Sequence, residues 1–126
     1  MGTIAEGERN KMLDALTGRG TYTANAAVYV KLHLGDPGAA GTSNAATNTT
    51  RQAATFGAAA ASGAISNTAA IEWTSVSTTE TYSHISLWTA STAGTFLGSD
   101  DLSSTAAVTA GDTFRIPVGD LDISIS

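Results

Sequence analysis

His33 and His84 are the two imidazoles of the chain, and cysteine is absent. Thiolate zinc sites, disulfides and cysteine nucleophiles are thereby excluded. A zinc site on the two imidazoles would need both on one sheet face beside a carboxylate, and no acid stands at a ligand spacing from either. Both are read as solvated or hydrogen-bonded strand residues. Serine is abundant, but no G-x-S-x-G elbow is present, so no catalytic residue is nominated. Five aspartates fall late in the chain: Asp100, Asp101, Asp112, Asp120 and Asp122. Aspartates at strand ends can gather round Ca²⁺. Their spacing matches neither an EF-hand nor a nonapeptide repeat, and a turn aspartate ordinarily bonds its own backbone. No metal and no cofactor is expected. Trp73, Trp88, Tyr29 and Tyr82 would make a sugar-stacking platform if they lay on an exposed sheet. In a chain with so few aromatics they are expected in the core instead, each burying ~150–250 Å². A glycan is therefore a rival partner, not the expected one.

These residues need a scaffold, and composition limits what it can be. The chain has 126 residues, enough for one domain with one core. Ala, Thr, Gly and Ser make up 69 of them, and only 13% are charged. That composition argues against a coiled coil, a long helical bundle or a disordered polyelectrolyte. Net charge is −5. Beyond residue 20 three cations, Lys31, Arg51 and Arg115, face eight carboxylates. Nucleic-acid binding requires a basic stripe, so neither nucleic acid nor an anionic membrane surface is an expected partner. No window approaches the ~18 apolar residues that span a bilayer. Acids follow the first methionine where an apolar leader would run, and the lack of cysteine points to intracellular assembly, in the cytoplasm.

The spacing predicts one helix, over residues 4–17. Met12, Leu13 and Leu16 recur at helical intervals after Ile4, and Gly18 stands where a left-handed C′ residue belongs. The stripe is narrow and the helix short, so it must dock on its own domain or on a neighbour. After Gly20 the period changes to two. Residues 26–34 alternate Val28, Val30, Leu32 and Leu34 against Tyr29, Lys31 and His33, and residues 81–90 place Tyr82, His84, Ser86 and Trp88 on one face. Residues 38–49 read as a long polar loop after an Asp36-Pro37-Gly38 turn. About eight short strands result, with turn signals every ~8–12 residues, as in an antiparallel β-sandwich or jelly roll. The expected organisation is a helical arm over residues 1–20 and a β-sandwich domain over 21–126. Leu121, Ile123 and Ile125 alternate in a last strand able to add to its own sheet or to a neighbour's. The candidate interaction residues are Ile4, Met12, Leu13 and Leu16 on the arm, with Ile123 and Ile125 on that strand.

Six stretches carry a resemblance: KMLDALTGRGTYT (11–23), VYVKLHLGDPGAAGT (28–42), TRQAATFGAA (50–59), ISNTAAIEWT (65–74), TYSHISLWTASTAGTFL (81–97) and VTAGDTFRIPVGDLDISIS (108–126). In this order they resemble a family of small virion structural proteins of tailed bacteriophages, mostly of actinobacterial hosts, labelled variously head-decoration, minor tail or tail fibre proteins. The resemblance implies a non-enzymatic β-sandwich that oligomerises on the particle. No long shaft, collagen-like repeat or heptad run is present, so a capsid decoration protein on the virion surface is the first expectation. It would act as a homotrimer of sister subunits seated on the major capsid protein. A tail fibre or minor tail subunit is the alternative, and a carbohydrate-binding adhesion module the rival of another class.

Overall fold

The computed structural model describes residues 3–58 and 63–124. It is mainly β, with nine strands and one helix among the described residues. Strand β1 (Thr3–Ile4) precedes helix α1 (Glu6–Leu16). Then come β2 (Val28–His33), β3 (Gln52–Ala54), β4 (Ala64–Ser66), β5 (Ile71–Trp73), β6 (Glu80–Trp88), β7 (Phe96–Val108), β8 (Phe114–Ile116) and β9 (Asp122–Ser124). Five strands form one sheet in the order β1-β7-β6-β2-β3, every neighbouring pair antiparallel. Two short antiparallel ribbons, β4–β9 and β5–β8, complete the architecture, which is that of the expected β-sandwich.

The two ribbons are successive parts of one interrupted pairing. Between them sits Asn67, buried, where the opposing chain turns through Pro117 and Gly119. Its side-chain amide donates to the carbonyls of Ala69 (2.9 Å) and Pro117 (3.0 Å), and its Oδ1 accepts from the Leu121 N–H (2.9 Å). Its backbone N–H and C=O pair with Leu121 and Gly119. One side chain thus supplies the pairing that the proline and the turn remove.

Val30 and Leu32 of β2 and Ile85 and Leu87 of β6 meet Ile71, Trp73, Ile116 and Leu121 in the core. Phe114 stacks at a tilt on Trp73 and Tyr82, with centroids 5.6 and 5.2 Å apart. The Trp73 indole N–H reaches the Thr50 carbonyl at 2.8 Å, so the ring is buried without an orphaned donor. Trp73 and Tyr82 serve the core, as expected, whereas Trp88 is buried outside that cluster and Tyr29 is half-buried.

Tyr82 reaches the core by a route the alternation did not give. A register break in the β6–β7 pairing moves from Tyr82↔Ala106 to His84↔Asp101, so residues 102–105 of β7 bulge opposite Ser83. The bulge reverses parity. Tyr82 shares the inner face with Ile85 and Leu87, whereas His84, Ser86 and Trp88 point the other way. Strand β7 is nevertheless continuous from Phe96 to Val108.

That outer face is covered as well. The loop from Gly35 folds back across β2: Leu34 N–H donates to the Asn44 carbonyl (2.8 Å) and Ala46 N–H to the Leu32 carbonyl (3.1 Å). Gly41 lies against the Phe96 ring so closely that a Cβ would collide with it. Phe96 in turn packs on Trp88, centroids 5.5 Å apart.

Candidate interaction site

Helix α1 positions most of the arm residues. It has no side-chain N-cap, but Glu6 and Glu8 lie in its first turn, where the helix dipole favours acids. It ends in a Schellman motif: Arg19 N–H donates to Asp14 (2.7 Å) and Gly18 N–H to Ala15 (3.3 Å), with Gly18 at φ +79°, where a side chain would be strained. Ile4 precedes the helix instead of opening it. It pairs with Gly98 of β7, and Ala5 N–H donates to the Leu97 carbonyl at 2.8 Å. Two backbone anchors therefore tie the arm to the large sheet.

The inward face of α1 is Glu8, Met12 and Ala15, spaced i, i+4 and i+7. Leu13 and Leu16 face outward, 57% and 81% exposed. Sequence reasoning grouped Met12 with these two leucines, whereas the structure divides them between two faces. Glu8 is only 4% exposed. Its Oε2 accepts from Lys11 Nζ at 2.8 Å and its Oε1 from the Tyr22 hydroxyl at 2.7 Å. The Lys11 hydrogen bond, helped by Tyr22 and opposed by burial, holds the Glu8 carboxyl below its usual range. Burial first, then the Glu8 contact, pushes the Tyr22 phenol up. The sequence signal for Glu8 was its helical spacing from Met12; Tyr22, beyond the helix end, gave none.

Ile4, Met12 and Ile123 come together at a cavity of about 450 Å³, with Val28 and Leu97 among the other apolar groups of its wall. Glu8, Asp100 and Asp122 add carboxylates to the lining. Asp122 also accepts a short hydrogen bond from the Ser66 hydroxyl. Of the six candidate interaction residues, three meet here and two lie outside on α1. Ile125 lies outside the described residues.

The histidines occupy another place. His33 and His84 are cross-strand neighbours, and Asp101 pairs with His84 on the next strand. Both His33 nitrogens are nevertheless committed. Nδ1–H donates to the Ser43 carbonyl (2.9 Å), and Nε2 accepts from the Ser86 hydroxyl (2.7 Å), which itself accepts from the Trp88 indole N–H (2.7 Å). Among the described residues no group of three His, Asp or Glu could hold a metal ion. Arg51 sits 4.2 Å over the Trp88 ring and donates to the carbonyls of Ala90 (2.9 Å) and Ala93 (2.7 Å). The whole relay is spent on holding the 35–48 loop, β6 and the 89–95 turn together.

The chain thus presents an acidic body with the apolar side chains of Leu13 and Leu16 turned outward on α1. No curated protein matches the chain. A family model described as podophage GP4 fiber I protein gp80 matches residues 4–124. It agrees with the phage virion resemblance of the six stretches, carries the fibre description instead of the head-decoration one, and does not speak to an actinobacterial host. With nearly its whole length matched, the chain belongs to the podophage GP4 fiber I protein gp80 family, a family of phage structural proteins.

Proposed function

We propose that this protein is a structural subunit of a phage fibre and works by association with other polypeptides, without chemical turnover. The observation that carries the reading is the family match over residues 4–124. The outward Leu13 and Leu16 are the proposed contact, burying against sister subunits in a homotrimer or against a neighbouring virion protein. Association of repeated copies then stabilises the assembly by mass action. The acidic body keeps the particle soluble.

The test is electron microscopy of purified particles carrying a gold-labelled antibody against this chain. Label on fibres at the tail is the expected result. Label spread over the head shell would replace the fibre reading by capsid decoration, with the major capsid protein as partner.

A further inference from the structure

The loop of residues 35–48 covers the outer face of the large sheet and is attached to it unevenly. Its far end is fixed to β6: Glu80 Oε1 accepts from the Thr47 N–H (3.0 Å) and Oε2 from the Asn48 N–H (3.1 Å). Its body is closed on itself. Ser43 N–H donates to the Pro37 carbonyl (2.9 Å), Gly41 N–H to the Gly38 carbonyl (3.1 Å) and the Asn44 amide to the Asp36 carbonyl (2.9 Å). A compact loop bonded in this way can move as one piece. The ties of that body to β2 sit at its neck: Leu34 N–H to Asn44, Ala46 N–H to Leu32, and His33 Nδ1–H to the Ser43 carbonyl.

His33 is the one titratable group in that neck, and it is wholly buried. The relay below it runs one way, from the Trp88 N–H to Ser86 Oγ and from the Ser86 hydroxyl to His33 Nε2. A proton added at Nε2 therefore meets a hydroxyl already directed at it. The charged or titratable neighbours of the cation are Lys31 on β2 and His84 on β6, both of like sign when protonated. Asp101 of β7 is placed beyond His84, and Asp36 of the loop turns its carboxylate to the Gly38 N–H. A buried cation so placed gains by reaching water. The sheet closes its inner side, so the way out is past Ser43, which is itself exposed.

We propose that residues 35–46 form a flap latched by His33, and that mild acid unlatches it, lifting Gly41 off Phe96 and wetting the outer face while the core stays closed. The device is independent of the fibre reading, and its failure would leave that reading untouched.

Native-state amide hydrogen exchange of the full chain tests it, followed by NMR at pH 7.5 and 5.5 and corrected for the intrinsic rate at each pH. Leu34 and Ala46 N–H report the neck, and Asn67 and Val76 N–H report the two ribbons. Leu34 and Ala46 should be less protected than Asn67 and Val76 at both pH values. Their protection should also fall about tenfold from pH 7.5 to 5.5, as the opened imidazole takes up its proton. His33→Gln keeps a donor for Ser43 and an acceptor for Ser86 but cannot titrate, and should abolish that fall. Gly41→Ala drives a methyl into the Phe96 ring. It should lower Leu34 and Ala46 protection already at pH 7.5 and leave Asn67 and Val76 protected. The unmodified protein and Gly41→Ala decide the question even if His33→Gln does not fold. Leu34 and Ala46 exchanging no faster than Asn67 and Val76, a protection that does not fall with pH, a fall that persists in His33→Gln, or loss of all four amides together in Gly41→Ala would each overturn the proposal.

Discussion

His33 shows how a single buried side chain can set the pH range of a fold. Burial above all, with Lys31 on its own strand and His84 across from it, lowers its pKa from the ordinary value of 6.5. The unfolded chain then binds a proton that the folded chain refuses, so stability is full above about 6.5 and falls as pH drops below it. Protonation also turns Nε2 into a donor facing a Ser86 hydroxyl already oriented to donate. Thermal unfolding followed between about pH 7.5 and 5.5 should show the midpoint falling, and His33→Gln should remove much of that fall. Glu8 acts in a lower window: its carboxyl is held below 4.5, so its contribution is present above that value and lost as pH falls further. Asn67 is the other critical residue. Asn67→Ala deletes three side-chain hydrogen bonds at a buried site and leaves their partners unpaired, which should cost about 3 kcal/mol or more in urea unfolding. A hydrogen-bonded strand histidine was one of the two readings of His33, but its burial was not legible, nor was the role of Asn67. A histidine alternating with valine and leucine reads as solvent-facing, and only the return of the 35–48 loop buries it.

Among the elements, α1 divides most clearly into two faces. Leu13→Asp or Leu16→Asp should change stability by no more than about 0.5 kcal/mol, since both side chains are exposed. Either change should lower particle association, measured by co-sedimentation. Met12→Asp brings a carboxylate to a cavity wall beside Glu8 and should destabilise by about 2 kcal/mol. The helix itself, its Gly18 stop, the β2 alternation, the β6 alternation from His84 onward and the core role of Trp73 were readable, because each depends on local spacing or on a residue of one conformational type. Which helix face docks was not readable: Met12, Leu13 and Leu16 have similar hydrophobicity, and the buried stripe begins with an acid. The β6–β7 bulge was hidden too, because the Ser, Thr and Ala of 103–107 give little contrast between faces. Without that bulge Tyr82 would share a face with Trp88.

For the molecule as a whole, the arm is part of the sandwich and not only the proposed contact. Removing residues 1–18 strips β1 from β7 and uncovers the cavity wall formed by Ile4 and Met12. The truncated chain is expected to keep a β-type circular-dichroism spectrum, unfold at lower denaturant and no longer join particles. Full association after truncation would rule out α1 as the contact. The bulged β7 has a last implication at this scale. From Leu102 onward its outer side has no strand against it among the described residues, and a flat, unpaired ladder is a template for runaway cross-strand growth. The bulged residues Leu102–Thr105 break the regular register of the strand and so spoil that template. Two copies that meet along this edge should then stay separate instead of extending one another's sheets.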